Sequence, residues 1–96
     1  MAFAIGLLLM DCHIPDSLSL KDKRRVMYSI TERLRRTLNI AVSEVEFQDQ
    51  WQRARIAAAY VNTEWLMIQK AMSRTVEIVE RDGRIRILRV ESQRLN

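Results

Sequence analysis

Two kinds of hydrophobic spacing alternate along this chain. From Phe3 to Cys12 the residues are almost continuously apolar and β-compatible, and the run ends near Pro15, which predicts a strand followed by a loop. Ser19 then offers an N-cap with Asp22 three residues on, a variant of the capping box, so a helix starts at Leu20. At 100° per residue, Leu20, Met27, Ile30, Leu34 and Leu38 share one face of that helix. Lys21, Arg24, Arg25, Tyr28, Arg35 and Arg36 share the opposite one.

Asn39 suits the turn out of the helix, and Ile40 to Phe47 reads as a second strand with an irregularity at Ser43 or Glu44. A short connection, QDQWQ, leads to a third strand from Arg53 to Val61, so the pair forms a hairpin. Asn62 or Thr63 caps a second helix running to about Glu80, with Trp65, Ile68, Met72, Val76 and Val79 on its apolar face. Arg81-Asp82-Gly83 turns the chain into a last strand, Arg84 to Val90. The order βαββαβ predicts an α+β, ferredoxin-like fold: a four-stranded antiparallel sheet with two helices on one face.

With 48% hydrophobic and 29% charged residues and no linker or low-complexity tract, residues 1–96 read as a single globular domain. The opening apolar stretch is too short to span a bilayer and lacks the basic flank and cleavage pattern of a signal peptide. The expected location is therefore cytoplasmic, with no membrane partner. Cys12, the one cysteine, has no internal disulfide partner and no zinc-type spacing.

The net charge of +4 is unevenly placed. Leu20 to Leu38 holds seven bases against two acids, and the rest of the chain has nine bases against ten acids. A field concentrated on one helix suggests an anionic partner. Bases in a first turn also oppose the helix dipole, at up to about 1 kcal/mol each, so their placement works against stability unless an anion is bound there. Lys21, Arg24, Arg25, Arg35 and Arg36 are the candidate phosphate contacts, with Tyr28 placed to stack on a base or lie on the surface. Lys23 is a secondary candidate because it falls toward the apolar side. The alternative is a solvated face whose bases pair with Glu44, Glu46 or Asp49.

The central strands add a second feature. Phe3, Ile5, Leu7 and Leu9 alternate with Ala4, Gly6, Leu8 and Met10, while Ala57, Ala59 and Val61 alternate with Ile56, Ala58 and Tyr60. Both faces are apolar, whereas a solvated sheet face normally alternates with polar residues. Something is expected to cover the second face, and a homodimer packing sheet on sheet through Leu7, Leu9, Ala57 and Ala59 would do so. The aromatic pattern of a sheet that stacks single-stranded RNA bases is absent from these strands.

Around the hairpin, Asp49 is a candidate turn cap, and Trp51 is expected to anchor the connection against the core. Gln52 and Arg53 are secondary candidates for backbone or ligand contacts. An enzyme is the reading from another class: Asp11, Cys12 and His13 lie close together, and Glu44, Glu46 and Asp49 offer carboxylates. Against it, adjacent strand residues point to opposite faces, so Asp11 and His13 can converge but Cys12 cannot join them; His13 is the only histidine, and Gly6 and Gly83 build no phosphate-cradling loop. The glycine-rich, arginine-containing loop of the ferredoxin-like acylphosphatases is also absent after the first strand.

The segments S-L-K-D-K-R-R at Ser19 to Arg25 and D-x-W-Q-R-A at Asp49 to Ala54 resemble the YlxP-like family of small bacterial proteins, over nearly the whole chain. The resemblance implies a ferredoxin-like fold, a cytoplasmic protein and genes neighbouring those of translation initiation and ribosome maturation; it implies no activity. Trp65 and Leu66 depart from the more polar second-helix start that the family suggests. The combined expectation is a non-enzymatic protein with no cofactor, metal or catalytic residue. It binds structured RNA or the ribosome through its first helix without DNA sequence specificity, or serves as a homodimeric interaction module.

Overall fold

The computed structural model describes residues 2–96. Six elements follow in the order β1 (Ala4–His13), α1 (Leu20–Thr37), β2 (Ala41–Glu46), β3 (Arg53–Asn62), α2 (Trp65–Glu80) and β4 (Arg86–Arg94). The strands form one antiparallel sheet in the order β2-β3-β1-β4, with both helices on one face: the ferredoxin-like α+β fold. Among the described residues no helix is long and apolar enough to cross a membrane.

Strand alternation decides which face the helices cover. Ala4, Leu8, Met10 and Cys12 of β1 and Ala54, Ile56, Ala58 and Tyr60 of β3 are buried beneath them. Val26, Met27, Ile30 and Leu34 of α1 and Ile68, Met72, Ile78 and Val79 of α2 close the core. At Gly6 the side chains of α2 press directly on the backbone of β1. A Cβ there would lie 2.8 Å from both Ile68 Cγ2 and Met72 Cε, and 3.2 Å from the Trp65 ring. Trp65 therefore packs over a bare stretch of β1, while Leu66 is exposed. Tyr60 Oη and Thr75 Oγ1 meet at 2.6 Å inside the core, and Thr75 donates onward to the Ala71 carbonyl. Burial pushes the Tyr60 hydroxyl pKa up.

Local boundaries differ from the sequence expectation where backbone partners intervene. The α1 cap forms as expected: Ser19 Oγ accepts from Asp22 N at 3.0 Å, and Asp22 Oδ2 accepts from Leu18 N at 3.0 Å. The β2 irregularity falls one residue beyond the predicted positions: Glu44 pairs with Ile56 and Glu46 with Arg55, leaving Val45 as a bulge. Helix α2 begins after Glu64, whose amide is held by Asn62 Oδ1 at 3.0 Å, so Asn62 acts two positions outside the cap. Strand β4 runs four residues past Val90, because the β1 backbone pairs it through Arg94. Leu95 N then donates to Ile5 O, and the Asn96 side chain holds Ile5 N and Phe3 O.

Candidate nucleic-acid interface

Lys21, Arg24, Arg25, Tyr28, Arg35 and Arg36 all emerge on the solvent side of α1. From Lys21 to Arg36 the stripe runs about 22 Å at the 1.5 Å rise of an α-helix. Tyr28 lies in its middle with 70% of its surface exposed. Arg35 is partly committed: Nη1 reaches Glu32 at 2.9 Å and Nη2 donates to the Val42 carbonyl at 2.8 Å, tying α1 to β2. Among the described residues Lys21, Arg24, Arg25 and Arg36 have no carboxylate within ion-pair distance, so their charge faces solvent.

Lys23 leaves the candidate set. It is 1% exposed, its ammonium lies 2.7 Å from Glu44 Oε2, and it donates to the Phe47 carbonyl. A side chain on the buried face offers no contact to a phosphate outside. Its position explains the base-rich first turn in part: one of those bases is a tether between α1 and the β2–β3 hairpin. The helix entry likewise differs from a bare anion site, because Ser19 Oγ takes the Asp22 amide and the Asp22 carboxylate, bonded to Leu18 N, sets a negative charge there. That carboxylate also offsets part of the dipole repulsion on the neighbouring bases.

The hairpin is held from both sides. The Phe47 backbone is left-handed, at φ 66°, a costly conformation for a bulky residue, and its carbonyl accepts from both Lys23 and Gln50 N. That main-chain bond, at 3.0 Å, closes the turn expected of Asp49. Gln52 is structural rather than free. Its carbonyl accepts from Ile14 N at 2.9 Å, and its amide donates to Pro15 O and Ser17 O at 3.2 and 3.0 Å. Arg53 lies over the Phe47 ring, 4.3 Å from its centroid. Trp51 does not anchor the core: 53% of its surface is exposed, because the backbone and Gln52 already pin the loop.

On the open sheet face, Leu7 pairs with Ala59 and Leu9 with Ala57, so the four interface candidates form one apolar block flanked by Ile5 and Val61. A charged row lies next to it. Arg55 bonds Asp11 at 2.7 Å and Glu46 at 3.0 Å, and both contacts raise the guanidinium pKa. Three of the four carboxylates weighed for catalysis are thus divided among ion pairs, Glu44 with Lys23 and Glu46 and Asp11 with Arg55, while Asp49 stays exposed on the hairpin turn. Cys12 faces the core, and burial pushes its thiol up to about 12, far from thiolate chemistry at neutral pH.

The next row reads Arg53, His13, Arg86, three nitrogen bases placed side by side across β3, β1 and β4. Sequence reasoning missed this row and the exposed Trp51 beside it. The hairpin register that aligns Arg53 with His13 was available in outline, but the β1–β4 register, shifted by a bulge at Asp11/Cys12, was not.

These features define a small ferredoxin-like α+β domain with an exposed basic helix on one side and an open, largely apolar sheet on the other. A family model described as protein of unknown function (DUF503) matches residues 5–92, and the chain belongs to that family. It is 33% identical over 76 residues to the uncharacterized protein YlxP of Bacillus subtilis (strain 168), covering 79% of this chain and 83% of that one. Among solved structures it resembles the de novo designed protein Foldit4, with a TM-score of 0.56 and 12% identity over 94% of this chain and 96% of that one. At that identity the likeness speaks for the fold alone.

Proposed function

We propose that this protein is a non-enzymatic, cytoplasmic binder of structured RNA or the ribosome that reads the phosphate backbone through α1. The observation that carries the reading is the exposure of Lys21, Arg24, Arg25 and Arg36 without carboxylate partners, around a solvent-facing Tyr28. Flexible cations along one helix suit a phosphate track, and they carry no base-edge code of their own. Arg35, shared between the Glu32 carboxylate and the Val42 carbonyl, contributes less than the four unpaired cations.

The test is binding to ribosomal RNA across a salt series, with wild type beside Arg24→Glu/Arg25→Glu. The expected outcome is affinity that falls steeply with salt and, in the variant, a slope reduced by about two. Binding that is absent, or equal in the variant, sinks the proposal.

A second reading is favoured by the Leu7/Leu9/Ala57/Ala59 block: a homodimer joined sheet to sheet. The adjoining charges alternate in sign through Glu46, Arg55, Asp11 and Arg89, which suits a two-fold, self-complementary contact. Sedimentation of wild type and Leu7→Asp checks it; a wild-type monomer at high concentration rejects it.

A further inference from the structure

The row Arg53–His13–Arg86 sets two guanidinium groups on either side of His13, on the first and third of three neighbouring strands, so positive charge gathers at this end of the open sheet face. The next row is neutralised internally by Asp11 and Glu46, but among the described residues neither Arg53 nor Arg86 has a carboxylate partner. Beside the row Trp51 stands half out of the surface, held by a loop that is itself pinned through Gln52. Trp51, His13, Arg53, Gln50 and Leu88 line one depression of about 630 Å³, a size that accommodates a small ligand. Leu88, displaced outward by the β1–β4 bulge, supplies its apolar wall.

We infer that this depression is a nucleotide site, in which an unpaired base stacks on Trp51 and its phosphate lies over Arg53 and His13, with Arg86 on the next strand just beyond the lining. A rigidly presented indole is a good platform for a base, since every base offers a π-face. Guanidinium groups give charge-assisted bonds to phosphate oxygens, and Arg53 is pre-oriented by its stacking on Phe47. The Gln50 amide, exposed at the rim, is available to the base edge. The ligand class is a nucleoside monophosphate unit, whether free or as an unpaired nucleotide in a single strand. The site is separate from the α1 stripe and does not depend on it.

The chain has two tryptophans, so a Trp65→Phe background leaves Trp51 as the sole tryptophan, excited selectively over Tyr28 and Tyr60 at the red edge of the absorption band. Its emission is titrated with adenosine monophosphate, adenosine and a short oligoadenylate. Saturable quenching by the monophosphate is expected, about tenfold weaker for adenosine and about tenfold weaker again for the monophosphate in Arg53→Gln/Arg86→Gln. An oligoadenylate that binds much more tightly than the monophosphate identifies a single strand as the source; equal affinities identify the free nucleotide. Arg24→Glu/Arg25→Glu is expected to keep the monophosphate response unchanged, which separates this site's failure from that of the helix. No saturable quenching by any of the three, or quenching indifferent to Arg53→Gln/Arg86→Gln, overturns the inference.

Discussion

Lys23 and Glu44 meet at 2.7 Å with the lysine almost wholly buried, joining the core-facing side of the first turn of α1 to the edge strand β2. The lysine ammonium continues to the carbonyl of Phe47, the one left-handed non-glycine residue described. One side chain thus fixes a helix, a bulged strand and the turn that presents Trp51.

Removing that tether is costly. Lys23→Met leaves Glu44 without its cation, and the expected loss is about 2–4 kcal/mol, tempered because Glu44 retains partial exposure. Lys23→Met/Glu44→Gln is expected to recover part of it. Chemical denaturation of the four variants of a double-mutant cycle measures the coupling, and additive losses reject the tether.

Gly6→Ala tests the approach of α2 to β1. The added methyl meets Ile68 and Met72 inside van der Waals distance, so those side chains, or α2 with them, must give way. A destabilisation of about 1–3 kcal/mol is expected from overpacking, seen as a lower Tm, with relief in Gly6→Ala/Ile68→Val. An unchanged Tm contradicts the packing described.

Acid sensitivity is expected at the turn before β4. Asp82 accepts from Arg84 at 2.7 and 2.9 Å and from its backbone amide at 3.0 Å, and the side-chain bonds hold its carboxyl below the usual carboxylate pKa. A lowered folded-state pKa gives stability that is present above the unfolded value and lost as pH falls through the folded one. Unfolding followed from neutral pH into the acid range is expected to show that loss in wild type and a shallower dependence in Asp82→Asn. Parallel curves would remove Asp82 from the account.

Lys21→Glu separates binding from folding. An acid in the first turn complements the helix dipole, so stability is expected to hold or rise by about 0.3–1 kcal/mol. RNA affinity is expected to fall in the same variant. A drop in thermal stability would instead assign Lys21 a structural role.

Much of the fold was legible because its signals are local. Ser19 and Asp22 announce the start of α1, and short, nearly continuous apolar runs announce β1 and β3. The exposure of Lys21, Arg24, Arg25, Arg35 and Arg36 follows from the same periodicity. The last strand was harder. Residues Glu91 to Arg94 carry little apolar pattern, and pairing with β1 rather than side-chain burial makes them extended. Trp51 was misjudged because aromatic burial is a good general expectation, whereas here Gln52 and main-chain bonds take over the anchoring.

By itself the amino-acid order determined the sequence of elements, the amphipathic division of α1 and the apolar character of both faces of the central strands. Each of these depends on neighbours within a few residues, where helical and strand periods act. Tertiary structure alone decided that Lys23 turns inward to Glu44, that Trp51 turns outward, and that Arg53, His13 and Arg86 fall in one row. Those relationships join residues tens of positions apart through strand register and a bulge, and a change of one residue in register would send each side chain to the other face.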